Sequence, residues 1–374
     1  MQKNHHRLAS ASIGRYHELT SYHFGAPAAG AWPRKVYIQS SLHADEIPGM
    51  LVAHHLREAL ARLEAEGKLR GEVVLVPMAN PIGLAQRVLH NSVGRFELDS
   101  GENFNRYYAE PSAQVVAAVG ERLTDDIDHN RSLIRQALRE ALQAQSVDSE
   151  LASLRQQLHL LAVDADLVID LHCEWRGAIH IYANNEQWPR VEALAAYLRC
   201  PVSLLADSYG GMPFDEAIFM PWLRIRDALP GKPVPVDSVS VTVELRGQQD
   251  VNHELARQDA NAILDFLRYQ GLLAEDAPPV LPLPYPATPL EGSETLTAPH
   301  AGVVVLHAAM GEWIEPGQLV AEVVDTVDGR ASEVRAGTAG VLYAGIHHPY
   351  THLGGTVAKI AGAVKLQKSR LLDA

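Results

Sequence analysis

The chain has 374 residues, 47% hydrophobic and 21% charged, a composition ordinary for a soluble globular protein with two domains, or one large and one small. Its formal net charge of −13 is spread along the sequence, which argues against nucleic acid as the main partner because phosphate binding needs a basic surface. Cys173 and Cys200 make neither a disulfide framework nor a Cys-rich metal motif, residues 1–8 lack the apolar core of a signal peptide, and no apolar run reaches transmembrane length, so a cytoplasmic protein with no membrane partner is expected.

Up to about residue 34 the pattern is mixed and predicts no element. Residues 35–39 read as a strand. Residues 50–66 read as an amphipathic helix with Leu51, His54, His55, Leu56, Leu60 and Leu63 near one side. A second strand, 72–77, ends at Pro77. Residues 82–106 read as loop, with Gly83, Gly94, Asp99 and Gly101 scattered through them. Residues 112–161 carry two or three helices. The run 166–171 is apolar on both faces, as a central parallel strand is. Strands at 178–182, 202–205 and 238–245 then alternate with helices at 191–198 and 252–270. This order predicts an α/β fold with a mixed, largely parallel sheet flanked by helices.

The texture changes at residue 277. Six prolines within 277–289 (Pro278, Pro279, Pro282, Pro284, Pro286 and Pro289) predict a stiff linker after a first domain at 1–276. From residue 290 the chain shows short Val-rich strands between Gly and Pro turns and no helical period. A weak echo between 298–303 and 336–341 suits a pseudo-symmetric, all-β barrel-sandwich domain at 290–374.

The chemistry concentrates at strand ends, where ligands of open α/β sheets sit. His43 and Glu46 follow the first strand and lie three apart, close enough to face one point. Alone, H-x-x-E is as well read as a polar surface turn. His172 follows the strand 166–171, so a His, a Glu and a His reach one sheet edge. That is a His₂Glu metal set with one position open to water. Asp170 is placed either to hold His172 by a hydrogen bond or to face a neighbouring helix.

The segments around these residues resemble the succinylglutamate desuccinylase/aspartoacylase family of zinc carboxypeptidase-like amidohydrolases. His43-Ala44-Asp45-Glu46 resembles the family's H-G-D/N-E, with Ala44 in place of glycine. Glu102-Asn103-Phe104-Asn105-Arg106 resembles D-L-N-R, with Asn103 and Phe104 replacing Asp and Leu. Asp170-Leu171-His172-Cys173-Glu174-Trp175-Arg176-Gly177 resembles D-L-H-T-x-x-R-G, and Val243-Glu244-Leu245-Arg246-Gly247 resembles the segment holding the catalytic glutamate. The resemblance implies one Zn²⁺ per chain on His43, Glu46 and His172, with Glu244 as general base and then acid. It implies that Asn105 and Arg106 bind a substrate carboxylate and that Arg95 polarises the carbonyl and holds the oxyanion. Arg87 is the rival for that last role, and spacing does not separate the two. Arg176 is expected to read the acyl or amino-acid end.

The expected reaction is removal of a small acyl group from an N-acyl amino acid or related amine, with a small anionic substrate as partner. A carboxypeptidase acting on peptide C-termini and a non-catalytic zinc-binding protein are the rivals. The remaining conspicuous residues take plainer readings: His54-His55 a core-edge pair, His347-His348 a turn, Cys173 a buried structural thiol. Tyr209-Gly210-Gly211 has the composition of a mobile substrate loop, with no motif to fix it. The last domain resembles biotinyl/lipoyl carrier modules, but 324–330 holds no lysine to modify, so a structural module is expected that shields the cleft or makes a subunit contact. A homo-oligomer is the base-rate expectation.

Overall fold

The computed structural model describes residues 1–26 and 34–366. Its main element is a nine-stranded sheet in the order β1-β2-β4-β3-β7-β11-β9-β10-β12. In chain order these are β1 (Gln2–Arg7), β2 (Glu18–Phe24), β3 (Lys35–Ser40), β4 (Glu72–Val76), β7 (Leu167–Glu174), β9 (His180–Asn184), β10 (Val202–Ala206), β11 (Val239–Gly247) and β12 (Thr288–Pro289). A small hairpin, β5 (Arg87–Val88) and β6 (Asn91–Ser92), and a two-residue strand, β8 (Arg176–Gly177), stand apart from it. The four central strands β4, β3, β7 and β11 are parallel, and β9 runs antiparallel to β11.

Strand alternation divides the core. Val36 and Ile38 of β3, Leu167, Ile169 and Leu171 of β7, and Val239, Val241 and Val243 of β11 face one side. There they meet helices α1 (Pro48–Ala65), α6 (Trp188–Tyr197) and α8 (His253–Tyr269). Tyr37, Val74, Val76 and Val168 face the other side, against α5 (Glu150–Ala162) and α7 (Phe214–Ala228). A one-turn helix, α2 (Pro81–Ala85), precedes the hairpin, and α3 (Ser112–Val119) and α4 (Ile127–Gln143) complete that layer. Helix α1 opens with Pro48 in its first turn, where no intrahelical N–H is needed, and buries Val52, Leu56, Leu60 and Leu63. Each such aliphatic side chain contributes roughly 1.5–3 kcal/mol by leaving water. No helix among the described residues is long and apolar enough to cross a membrane.

Three elements escape the sequence pattern. β1 and β2 form a half-exposed antiparallel edge pair rich in histidine and other polar residues, so no clean apolar face marks them. Helix α7 contains Pro221, which reads as a breaker, yet it buries Phe214, Ile218, Phe219, Trp222 and Ile225. Tertiary packing there outweighs the roughly 3 kcal/mol local cost of an interior proline.

The carboxyl-terminal part is all β. It comprises β13 (Ser293–Thr297), β14 (Gly302–Leu306), β15 (Trp313–Ile314), β16 (Leu319–Val324), β17 (Ala331–Arg335), β18 (Gly340–Gly345), β19 (Tyr350–Thr351) and β20 (Thr356–Gly362). They form two antiparallel sheets, β13-β20-β18-β15 and β17-β16-β14-β19, around Ile314, Val320, Val323, Leu342, Val357 and Ile360. This unit is fixed to the large sheet in three ways. β18 pairs with β8, the strand that follows β7. The end of the proline-rich segment becomes β12 and pairs with β10, an edge position where missing N–H groups are tolerated. Tyr182, Leu204 and Tyr209 pack with Leu290, Val341 and Tyr343 in one buried cluster.

Candidate active site

The parallel strands end together, and their alternation selects which side chains meet. With Leu171 and Cys173 facing α1, Asp170, His172 and Glu174 face the opposite side. On β11, Thr242 and Glu244 share that side, and the β7–β11 register sets Glu244 directly beside His172. His43 and Glu46 come from the turn after β3. Ser41, in the left-handed region at φ 58°, bends the chain there, and its Oγ donates to the Glu46 carbonyl at 2.8 Å. Gly94 lies against this turn: a Cβ on it would stand 2.3 Å from the Asp45 nitrogen, and its carbonyl accepts from Ala44 N–H at 2.9 Å.

Glu46 is the hub. Its Oε1 lies 2.8 Å from His43 Nδ1 and its Oε2 lies 2.8 Å from His172 Nδ1 and accepts the Cys173 N–H at 3.1 Å. All three side chains are buried. On the outer side of the rings, His43 Nε2 lies 2.9 Å from Asn103 Oδ1, while His172 Nε2 stands 3.0 Å from Asp170 Oδ2 as an ion-pair contact without hydrogen-bond geometry. Both Nδ1 atoms turn inward on one carboxylate, with a side-chain oxygen standing behind each ring, as behind metal-ligating histidines. Burial works against charge on His172, but Asp170 and Glu46 overcome it and raise its pKa well above the usual value. Burial, then Arg95, lowers that of His43. The pocket of carboxylates therefore draws a positive charge to the place where His172 and Glu46 meet, and a cation in place of that proton satisfies the donors. The buried His43–Glu46–His172 group can hold a metal ion.

The other predicted residues separate into those at this group and those away from it. Arg95 Nη1 lies 3.2 Å from Glu46 Oε1 and 3.3 Å from His43 Nδ1. Arg87 stands exposed on the β5–β6 hairpin, so it is Arg95 that the fold brings to the group. Glu244 is half-buried, and its buried Oε2 has no hydrogen-bond partner among the described residues. Burial first, then the Glu46 charge, pushes its carboxyl well above the usual range. Asn105 Oδ1 accepts the Phe214 N–H at 2.8 Å, and Arg106 Nη1 donates to the Asn105 carbonyl at 2.7 Å. Arg106 is further cradled by Gly211, whose φ of +75° and missing Cβ leave room for the Arg106 Cδ. The Tyr209–Gly211 loop is thus tied to the 105–108 segment, by Tyr107 N–H to Gly211 and Tyr108 N–H to Met212. Arg176 is not brought in. It is exposed on β8, whose backbone docks β18.

His43, Arg95, Asn105, Arg106, His172 and Glu244 line a cleft of about 470 Å³. One wall comes from the carboxyl-terminal unit: His347, His348, Tyr350, His352 and Lys359 all line it. His347 packs on Trp175 with ring centres 5.5 Å apart, and Lys359 Nζ lies 3.8 Å from Glu174 Oε1. His347-His348 is a turn, as its sequence suggests, but a turn at the cleft. Nothing local in the sequence could have shown that, because the docking of β18 on β8 delivers it. Asn103 was visible only as a departure from a motif; its contact with His43 was not.

Asp215, beside Arg106 at the start of α7, is a further cleft residue that the sequence reading missed. Burial, then Glu216 and Asp170, raises its pKa from 3.8 to about 7. The folded chain therefore holds its proton while the unfolded chain has lost it. The penalty is absent below about pH 4, grows as pH rises and is complete above about pH 7, reaching at most about 4 kcal/mol. Asp215→Asn is expected to raise Tm at pH 8 and leave it unchanged near pH 4, as thermal unfolding across that range will show.

A family model described as the succinylglutamate desuccinylase/aspartoacylase catalytic domain matches residues 33–270. No curated protein matches the chain. Among solved structures, a succinylglutamate desuccinylase/aspartoacylase family protein from Shewanella amazonensis is 26% identical, with TM-score 0.81 over 96% of this chain and 98% of that one. One from Shewanella frigidimarina is 24% identical, with TM-score 0.83 over 96% and 97%. The product-bound ectoine utilization protein EutE (DoeB) from Ruegeria pomeroyi shares the fold at 16% identity, with TM-score 0.66 over 96% and 95%.

Proposed function

The chain belongs to the succinylglutamate desuccinylase/aspartoacylase family, and from that premise we propose that it is a zinc-dependent deacylase, which hydrolyses the amide between a small acyl group and an amino acid or related amine. The observation that carries this reading is the convergence of two imidazoles on one buried carboxylate with the unpartnered Glu244 at the next register position. His43, Glu46 and His172 would hold the zinc, which would supply a Lewis acid for the scissile carbonyl and acidify water.

The remaining steps belong to the chain. Glu244 takes the proton of the attacking water and then gives it to the departing amine. Burial, and then the Glu46 charge, hold the Glu244 carboxyl well above the usual range, which makes it a stronger proton acceptor than a free carboxylate. Arg95 faces the carbonyl oxygen and holds the negative charge that develops on it. Arg106 pairs with the carboxylate of the amino-acid part, and Asn105 donates beside it. Two guanidiniums in one cleft attract an anionic substrate although the whole chain carries −13. Arg95→Met is expected to lower kcat by about 10²–10³-fold with little change in bound metal, measured by steady-state kinetics and metal analysis.

The wall contributed by the carboxyl-terminal unit favours small substrates over peptide chains. The test is a panel of N-acyl amino acids against peptides, with zinc-reconstituted protein. Release of free acid from the former supports the deacylase reading. Release of C-terminal residues from peptides in its place would make the chain a carboxypeptidase, and turnover of neither would leave a zinc-binding protein.

A further inference from the structure

A second cluster of metal-ligating side chains lies outside the cleft, where α1 packs against α8. His54 and Glu58 stand one turn apart on α1, with His54 Nε2 3.4 Å from Glu58 Oε1. His55 is adjacent, and one donor atom from each of the three lies within 4.8 Å of the other two. His253, the first residue of α8, brings a fourth group: its Nδ1 lies 3.1 Å from His55 Nε2. The rings of His54 and His55, and of His55 and His253, meet edge to face at 5.2 Å.

The chemistry of these side chains selects a ligand class. Burial first, then His54 and His253, lowers the His55 pKa, which favours the form of the ring that offers a lone pair. Imidazoles with one carboxylate suit Zn²⁺, Ni²⁺ or Cu²⁺, whereas Mg²⁺ and Ca²⁺ ask for oxygen donors. The amino end of α8 and the nearby Arg257 oppose a cation here. Their partial or screened charges act at a distance, while imidazole and carboxylate donors bind directly and Glu58 brings a full negative charge. Helix α1 starts two residues after Glu46, so a clip between α1 and α8 braces the helix that leads out of the cleft.

We propose that His54, His55 and Glu58 of α1, with His253 of α8, form a second site for a borderline divalent cation, Zn²⁺ or Ni²⁺, that ties the two helices together on the outer face of the protein. The site is separate from the proposed catalytic centre and does not depend on it.

The experiment uses the untagged full-length chain carrying His43→Ala, which removes the cleft's own ion. Calorimetric titration with Ni²⁺ and with Zn²⁺ is expected to give one saturable equivalent and a rise in Tm, and Mg²⁺ neither. Adding His55→Ala is expected to abolish both, and His253→Asn to weaken binding. Should the His43→Ala chain fail to fold, total zinc is measured in the otherwise unaltered chain, where His55→Ala alone is expected to lower it by one equivalent. The proposal is overturned by no saturable equivalent on the first background, by an equivalent that survives His55→Ala at unchanged affinity, or by equal zinc contents in the second comparison.

Discussion

Glu244→Gln is expected to lower kcat by about 10²–10⁴-fold on any substrate the wild-type chain turns over, while bound metal and KM stay close to wild type. The glutamine side chain has the same shape and fills the same half-buried position on β11, so packing is conserved. What it lacks is the ability to take a proton from water and return it to the leaving amine. Glu244 is not one of the three side chains that converge on the metal position, so its amide should not release the ion. Removing a carboxyl whose charge Glu46 disfavours also spares the folded state an electrostatic cost, so the variant should be at least as stable. Steady-state kinetics, metal analysis and thermal unfolding on one preparation separate these effects. Undiminished turnover by a zinc-loaded Glu244→Gln chain would sink the assignment.

His43→Ala has the larger consequence for the centre itself. It removes one of three donors and leaves Glu46, buried at 3% exposure, with His172, Arg95 and the Cys173 N–H as its remaining partners. The expected results are loss of the cleft's metal equivalent and, with it, of the whole hydrolytic activity, since among the described residues no other group in the cleft would polarise the carbonyl and acidify water together. A stability cost of roughly 1.5–3 kcal/mol is the upper expectation for losing a hydrogen bond to a buried carboxylate, and Arg95 reduces it by staying within reach of the same group. Metal analysis after dialysis is the decisive measurement. A His43→Ala chain that keeps the full zinc content of the wild type would show that the donors lie elsewhere.

The two variants also show which parts of the site could be read from the chain alone. Strand period is a local property. The alternation in 166–171 and 238–245 puts His172 opposite Leu171 and Glu244 opposite Val243, and that much follows from chirality and pleat wherever the strands lie. The three-residue spacing of His43 and Glu46 and the four motifs in order are likewise sequence facts, and they led to the family. β1 and β2 were not legible because edge strands need only one weakly apolar face, and α7 was not because its helix is stabilised by neighbours that close over Pro221.

Other features depend on segments far apart in the chain. Asn103 meets His43 across 60 residues, and Arg95 reaches Glu46 across 49. Arg95 and Arg87 look alike in sequence, yet one lies beside the carboxylate and the other on an exposed hairpin. Arg176 sits inside a matching motif but faces solvent, because the backbone around it serves to dock β18. The same docking carries His347, His348, Tyr350 and Lys359 to the cleft from a unit with its own core.

By itself, then, the sequence determined the period of each element, the face each candidate side chain takes and the chemical type of the donors. These depend on neighbours a few residues away and on backbone geometry shared by all chains. Only the tertiary structure decided which strand ends stand side by side, which arginine enters the cleft and what closes it. Those outcomes rest on strand pairing and apolar docking between distant segments, whose free energy is set by the partner as much as by the residue.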